Sequence, residues 1–370
     1  MPMTLCISAD SHVVEPPELF APLQKRFGER APRIRYTEDR GPQLDLGDGR
    51  LGLAIGGFLQ AGFDFGRPDS REMLKKGYEL ARPGVYDIKA RLEDQDRDGI
   101  DAEVMYPSVL FNVYQIKDLQ IVNATFASYN DWVANYFSGA PDRLFGLAAL
   151  QLRDLDAAIA EMERAKKMGF VGVCIPATAP PEHLYADPWY DKFWAAAQDL
   201  KLPLTMHIFT GATDNHGLPF QQGGSALAFA GVMFSIADLI QGGVCERFPE
   251  LKFVITEFET GWLGIMLKRL DWSWFRFGGA RAPGAMPEKP SAYWKRNFRI
   301  TFEDDEIGIK TRNYSGTSTL LWGSDYPHGD SVFPNSQEVL GRILAECTTK
   351  ERYEMTVKNV VQLYDLPFEV

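Results

Sequence analysis

The sequence has few cysteines, and they lie far from one another. The four are Cys6, Cys174, Cys245 and Cys347 among 370 residues. Wide spacing excludes the clustered thiolate ligands of a structural zinc site and the dense disulfide framework of a small secreted domain. We therefore expect four reduced thiols.

The sequence also lacks basic runs and long apolar runs. Lysine and arginine number 39 against 50 acidic residues, and the formal net charge is −11. Nucleic-acid binding requires clustered cations, so a nucleic-acid partner is not expected. No apolar stretch approaches the roughly 20 residues that cross a bilayer, and the first residues do not follow the order of a signal peptide. We predict a folded cytoplasmic protein with no membrane partner.

Eight short apolar runs recur along the chain, and segments with helical spacing separate most of them. The runs cover residues 5–9, 102–106, 145–150, 172–175, 203–207, 252–256, 298–302 and 320–323. Between the third and fourth runs, Leu155, Ile159 and Met162 share one helical face, and Asp154 or Asp156 can cap its start. Strands that alternate with helices indicate a parallel sheet, and eight nearly continuous runs predict a closed (β/α)8 barrel, the TIM-barrel class of α/β fold.

The alternative is an open doubly wound sheet, which would need a glycine-rich loop after its first strand. The segment ADSHVVEPPE at that place contains no glycine. We expect residues 1–370 to form one domain, because no repeat or linker divides the chain. Residues from about 20 to 90 are predicted to form an inserted cap, since RIRYTEDRGPQLDLGDGRLGLAI favours a hairpin with a Gly-Asp-Gly turn.

Metal-ligand side chains occur at or shortly after the predicted strand ends. They are Asp10, His12, His207, His216, Glu257, Asp325 and His328. Reactive groups of such barrels lie at the C-terminal strand ends, so this set predicts a shared metal site. Carboxylates combined with neutral imidazoles suit zinc, manganese or iron, and ligands from separate strands leave a position open for a small-molecule substrate.

Several of these residues have a second interpretation. Asp10 and His12 are two apart and can face the barrel axis together, but Asp10 could instead cap a turn while His12 packs in the core. His328, in SDYPH, could support Asp325 through a hydrogen bond rather than bind metal itself. His216, in DNHG, could be an exposed turn residue.

Four segments together resemble a known family. ADSHVVEPPELF, RLEDQDRDGIDAEVMYPS, RFPELKFVITEFETGW and WGSDYPHGDSVFPNS, in this order, are similar to the amidohydrolase superfamily, in particular to the branch related to aminocarboxymuconate-semialdehyde decarboxylase. The resemblance covers nearly the whole chain. It implies a (β/α)8 barrel that binds one divalent metal ion through Asp10, His12, His207 and Asp325. It also implies that Asp325 exchanges a proton with the reacting water or substrate.

The chain departs from this family after the sixth run. Many members carry a histidine where KFVITEFETGW has Glu257, and a carboxylate cannot be the cationic partner of a developing oxyanion. Glu257 could act as a general base, bind a second metal ion together with His216 or His328, or pair with a buried arginine. One ion is expected, although the ligand set is large enough for two.

These observations predict a metal-dependent enzyme that hydrolyses a small carboxylated or aromatic substrate with activated water. The alternatives are a non-oxidative decarboxylase, a dinuclear iron or manganese oxygenase, and a non-catalytic metal-binding partner subunit. We expect Trp262, Phe302, Tyr326 and Phe333 to line the mouth of the barrel, and the acidic run at 303–305 to cap the next helix. The apolar segment WLGIMLKRLDWSWFRFG predicts a homodimer.

Overall fold

The computed structural model describes residues 5–63, 68–180, 182–211, 227–277 and 286–370. The strands in these residues are β1 (Ile7–His12), β2 (Arg33–Thr37), β3 (Gly41–Asp45), β4 (Leu51–Ala54), β5 (Ala102–Tyr106), β6 (Leu144–Ala149), β7 (Gly172–Ile175), β8 (Leu204–His207), β9 (Phe253–Thr256), β10 (Phe298–Phe302) and β11 (Leu320–Trp322). The helices are α1 (Ala21–Phe27), α2 (Ser70–Lys75), α3 (Ile88–Asp98), α4 (Leu119–Phe137), α5 (Leu155–Lys167), α6 (Asp191–Asp199), α7 (Phe229–Gln241), α8 (Val244–Arg247), α9 (Leu263–Arg276), α10 (Pro290–Asn297), α11 (Glu306–Lys310), α12 (Arg312–Ser315), α13 (Ser336–Ile343), α14 (Thr349–Tyr353) and α15 (Asn359–Tyr364).

Eight of the strands form one parallel sheet in the order β1-β5-β6-β7-β8-β9-β10-β11. The sheet curls into a nearly closed barrel, which is completed where Ser11 of β1 pairs with Tyr326, just after β11. Backbone hydrogen bonds reinforce this seam, because Asp325 N donates to Asp10 O at 2.9 Å and His12 N donates to Tyr326 O at 2.6 Å. The predicted (β/α)8 barrel is confirmed.

Alternate residues along the strands face two different cores. Val104, Cys174 and Val254 point into the barrel and pack with one another, and α15 closes this interior at its lower end, where the strands begin. The upper end is the one at which the strands finish. Their neighbours, such as Met105 and Ile255, pack outside against the helices. Because both faces of each strand are covered, the strands are apolar almost throughout, which is why they stand out in the sequence.

The first strand begins and ends later than its apolar run. The run covers residues 5–9, whereas β1 extends from Ile7 to His12 and includes the candidate ligands Asp10 and His12. A register shift between Ser8 and Ser11 interrupts the pairing of β1 with β5. Such a bulge changes which residues face inward. Ala9 therefore packs in the lower barrel interior while Asp10 and His12 both reach the site at the upper end.

The region after β1 folds as a small antiparallel sheet with short helices around it. Its strands lie in the order β2-β3-β4, and the Gly-Asp-Gly sequence forms the turn between β3 and β4. The predicted hairpin with the Gly-Asp-Gly turn corresponds to β3 and β4, and β2 adds a third strand that pairs with β3. Residues Leu53, Ala54, Gly57 and Phe58 of this region line the cavity at the upper end of the barrel.

Helix α5 begins as its sequence predicts, because the Asp154 side chain accepts a hydrogen bond from Ala157 N.

All four cysteines are buried and free. In the part of the chain that the structure describes, none of the helices combines the length and apolarity needed to cross a membrane.

Helix α9 has apolar residues on more than one face. Leu263, Met266 and Leu267 are buried, whereas Ile265 and Phe275 are 69% and 77% exposed. An exposed apolar face of this kind is compatible with a subunit contact. The homodimer stays a prediction.

Candidate metal and active site

Five of the predicted ligands converge at the upper end of the barrel. Asp10 and His12 come from β1, His207 from the end of β8, and Glu257 and Asp325 from the residues that follow β9 and β11. His12 Nε2 lies 3.2 Å from His207 Nε2, 3.5 Å from Asp10 Oδ1 and 3.2 Å from Asp325 Oδ1. Glu257 Oε2 lies 3.1 Å from His207 Nε2 and 3.9 Å from His12 Nε2.

Hydrogen bonds to main-chain carbonyls fix the roles of the two histidine rings. His12 Nδ1 lies 2.8 Å from Pro107 O, and His207 Nδ1 lies 3.0 Å from Ile208 O. A carbonyl oxygen can only accept, so both Nδ1 atoms donate, and in the neutral rings both Nε2 atoms carry lone pairs. Two lone pairs that face each other at 3.2 Å repel one another unless a proton or a metal ion lies between them.

Buried carboxylate oxygens without hydrogen-bond partners surround these nitrogens. Within the described ranges, Asp10 Oδ1, Glu257 Oε2 and Asp325 Oδ2 are buried and accept no hydrogen bond. Unpaired buried carboxylate oxygens are costly, and a metal ion is one group that satisfies them. Atoms that bind one ion at about 2.0–2.2 Å lie roughly 3–3.5 Å apart, which is close to the separations seen here. The residues therefore fit a divalent metal ion and form a candidate site for one.

Mutual electrostatic effects agree with this assignment. Burial opposes a positive charge on His12, yet Asp10 and Asp325 raise the pKa of its ring to about 9. Burial likewise opposes ionisation of Asp10, but His12 and His207 hold the pKa of its carboxyl below the ordinary value. Burial and the charges of Asp325 and Asp10 raise the pKa of Glu257 well above its ordinary value. The site concentrates negative charge that a bound cation would neutralise.

Two of the acidic residues adopt left-handed backbone conformations. Glu257 has a φ of 63° and Asp325 a φ of 54°, which non-glycine residues rarely adopt. Each follows the last residues of a strand, where a sharp turn directs the side chain towards the other ligands. Residues in such conformations cluster at functional sites, where surrounding contacts hold them.

His328 lies with His12, Glu257 and Asp325 in one of the two groups that could hold a metal ion, and it contacts Asp325. Its ring stacks on that of His12 with centroids 3.9 Å apart, and its Nδ1 lies 2.8 Å from Asp325 Oδ1. Its Nε2 lies 2.8 Å from the Ser108 hydroxyl, which donates to Val13 O. Burial lowers the pKa of His328 to about 4. This geometry matches the supporting role that the sequence offered as an alternative to metal binding, and it lets a proton pass between the ring and Asp325.

The sequence did not single out Ser108 or Thr301, and His216 lies outside the described residues. Ser108 orients His328. The Thr301 hydroxyl accepts a hydrogen bond from Glu257 N at 2.9 Å and donates to Asp10 Oδ2 at 3.4 Å. Thr301 lies near the end of β10, so its place at a strand terminus was the one signal that could have indicated it.

A cavity of about 1040 Å³ opens above the candidate ligands. Its walls include Phe58, Phe209, Phe229, Phe258, Trp262 and Phe302, and Glu257, Asp325 and His328 reach its base. The prediction of aromatic residues at the mouth is correct for Trp262 and Phe302. It is wrong for Tyr326 and Phe333, which pack together with Ala61 away from the cavity.

The prediction that the acidic run at 303–305 caps the next helix is likewise correct for one residue and wrong for another. Asp305 caps α11 by accepting a hydrogen bond from Gly308 N, as predicted. Glu303 lines the cavity instead of capping the helix. Burial and the charges of Asp325 and Glu257 raise its pKa well above the ordinary value.

Comparison with known proteins identifies the family. The amidohydrolase family model matches residues 82–366, and the chain belongs to this family. Among curated proteins, the chain is 29% identical over 216 residues to the gamma-resorcylate decarboxylase of Rhodococcus jostii (strain RHA1). That match covers 54% of this chain and 64% of the relative, slightly less than two thirds of its length.

Solved structures share the fold at low sequence identity. An amidohydrolase from Mycobacterium avium subsp. paratuberculosis K-10 superposes with a TM-score of 0.78 at 21% identity, covering 97% of this chain and 99% of that protein. A dihydroxybenzoic acid decarboxylase from Polaromonas sp. JS666, with bound manganese and the inhibitor 2-nitroresorcinol, superposes with a TM-score of 0.68 at 20% identity. The match covers 99% of this chain and 98% of that structure.

Proposed function

We propose that the protein is a divalent-metal-dependent carboxy-lyase that removes CO2 from a hydroxylated aromatic carboxylate. The observation that carries the proposal is a pair of overlapping groups of ligand atoms, which share His12, below a cavity with aromatic walls. One group comes from Asp10, His12 and His207, and the other from His12, Glu257, Asp325 and His328. Activity on dihydroxybenzoates among the relatives supports decarboxylation over the hydrolysis that the sequence favoured. Asp10, His12, His207, Glu257 and Asp325 are the proposed metal ligands.

Different side chains bind the substrate and transfer the proton. Phe209, Phe229 and Trp262 offer apolar surfaces against which an aromatic ring packs while water is excluded. A metal ion held by Asp10, His12, His207, Glu257 and Asp325 would supply positive charge that attracts the anionic substrate.

Asp325 is the proposed group that delivers the proton, because its carboxyl group reaches the cavity and contacts His328. Burial opposes its ionisation, but His328 and His12 hold the pKa of this carboxyl below the ordinary value, so the proton reaches it from His328 during the reaction. Asp325 protonates the ring carbon that carries the carboxylate, the carbon–carbon bond breaks, and CO2 leaves. The proton on Asp325 is then restored through His328, whose Nδ1 lies 2.8 Å away.

The test is turnover of 2,6-dihydroxybenzoate by protein loaded with Mn²⁺, measured as CO2 released, as resorcinol formed by chromatography, and as O2 consumed. We expect equal amounts of CO2 and resorcinol and no O2 consumption. A matched Asp325→Asn protein should release no CO2 above background. If several hydroxylated benzoates yield no CO2 from metal-loaded protein, the proposal is wrong. Consumption of O2 would favour the oxygenase hypothesis.

Hydrolysis is a second candidate because of Glu257. Where the family resemblance has a histidine, the chain places a carboxylate 3.1 Å from His207 Nε2, and a carboxylate can accept a proton from water. Under this alternative, the metal-loaded protein cleaves aryl esters or lactones without releasing CO2. Glu257→Gln would then abolish ester cleavage while leaving the fold intact.

A further inference from the structure

We infer that Arg91 is a positioning residue, which sets the separation of the ligands His12 and Asp325 from outside the barrel. This inference rests on the metal site proposed above. Arg91 lies on α3 and its side chain is fully buried. Its Nη1 donates a hydrogen bond to the main-chain oxygen of His12 at 2.7 Å. The other edge of the guanidinium lies against Glu103 of β5, with Nε 2.7 Å from Oε2.

The same guanidinium lies over the ring of Tyr326, 5.0 Å from its centroid. Tyr326 directly follows Asp325, and its main-chain oxygen accepts a hydrogen bond from His12 N at 2.6 Å. Its hydroxyl donates to Asp94 Oδ2 at 2.6 Å, and Asp94 lies one helical turn after Arg91 on α3. Helix α3 therefore contacts Tyr326 on the face of its ring and at its hydroxyl group.

These contacts connect two proposed ligands, His12 and Asp325, across the place where β1 and β11 close the barrel. His12 is the last residue of β1, and Asp325 follows β11 in a left-handed conformation that needs support from its surroundings. Loss of the forked guanidinium would free the main chain of His12 and the ring beside Asp325 together. The Nε2 of His12 and Oδ1 of Asp325, now 3.2 Å apart, would then separate.

An arginine is suited to this position and a lysine is not. The planar guanidinium donates to the carbonyl of His12 and to Glu103 while its face covers Tyr326, and a single ammonium group cannot make all three contacts. The buried charge is paired with Glu103, whose side chain is 3% exposed, so Arg91→Lys keeps the pairing while removing the fork. Tyr326→Phe removes only the hydroxyl, and Asp94 retains its ion pair with Arg82.

The test is the Mn²⁺ dissociation constant of metal-free protein, measured from the electron paramagnetic resonance signal of free Mn²⁺, together with the melting temperature without metal. Partners of metal ligands typically change affinity by 10- to 100-fold, so Arg91→Lys should weaken binding by about that factor. Tyr326→Phe should weaken it several-fold. The control is Arg312→Lys, which alters an ion pair with Glu351 that links α12 to α14. We expect its affinity to stay within about twofold of the wild type.

A purely structural role for Arg91 would lower the melting temperature and leave the dissociation constant unchanged, which would overturn the inference. If Arg91→Lys does not fold, Glu103→Gln decides the question, because it keeps the shape of the partner but removes the charge that holds the Arg91 guanidinium in place. Unchanged affinity in that variant overturns the inference equally. If the wild-type protein binds no Mn²⁺, the proposed metal site fails and the inference fails with it. Wild-type binding with unaltered variants removes only the inference.

Discussion

Gly323 offers a way to displace a proposed ligand without removing it. The residue follows β11, and a Cβ atom added there would lie 2.4 Å from Asp10 Cβ and 3.2 Å from Asp10 N. Carbon atoms in contact are separated by about 3.5–4.0 Å, so Gly323→Ala must move Asp10 by about 1 Å. Hydrogen bonds from Ser324 N and Asp325 N to Asp10 O hold the main chain at this point, so the two segments cannot easily move apart.

Two effects of different size should follow from this displacement. Overpacking of a buried site costs about 1–3 kcal/mol, so the free energy of unfolding of the metal-free protein should fall by about that amount. Asp10 Oδ1 should also move away from His12 and His207, from which it is now separated by 3.5 and 3.6 Å. We expect Mn²⁺ affinity to fall by about 10- to 100-fold, as for other changes that reorient a ligand.

The assay combines urea unfolding of metal-free protein with Mn²⁺ titration. Gly341→Ala is the matched control, because its added Cβ would meet no heavy atom within 4 Å and the residue lies in α13. That variant should gain about 0.5–1 kcal/mol from helix propensity and keep wild-type Mn²⁺ affinity. Wild-type affinity in Gly323→Ala would refute the placement of Asp10 among the ligands.

Two further predictions concern single side chains. Asp325→Asn keeps the shape but removes the carboxylate that delivers the proton, so decarboxylation measured as CO2 release should fall by at least about 100-fold, and a smaller loss would contradict its role. Burial raises the pKa of Glu15 to about 7, although its carboxylate accepts hydrogen bonds from Ser108 N and Val109 N. The folded state therefore keeps a proton that the unfolded chain loses between about pH 4.5 and 7, and stability falls by up to about 3 kcal/mol as pH rises through that window. Glu15→Gln should remove this decline in urea unfolding of metal-free protein, and an identical pH profile in the variant would contradict it.

Strand positions could be predicted because the barrel covers both faces of each strand. Three strands, β5, β7 and β10, have the bounds that their apolar runs gave. The boundary of β1 was wrong because apolar character stops at Ala9, whereas the strand continues through polar residues that face the site. A bulge between Ser8 and Ser11 accounts for this difference, and no pattern in the segment predicts the bulge.

The candidate ligands could be predicted from their positions at strand ends, but the residues that support them could not. Ser108 contacts His328 across 220 positions of the chain, and Arg91 contacts the main chain of His12 across 79. Their residue types are common, so only the folded barrel reveals what they touch. Tyr326 was misplaced for a related reason, because its side chain turns from the cavity towards α3.

The proposed metal site is tested by the metal content per chain of protein purified without chelator and then equilibrated with Mn²⁺, measured by elemental analysis. We expect one firmly bound ion per chain in the wild type and a large loss in His12→Ala and His207→Ala proteins that retain their fold. Less than about 0.1 ion per chain in the wild type, or two ions that persist when either histidine is removed, would contradict the proposed site.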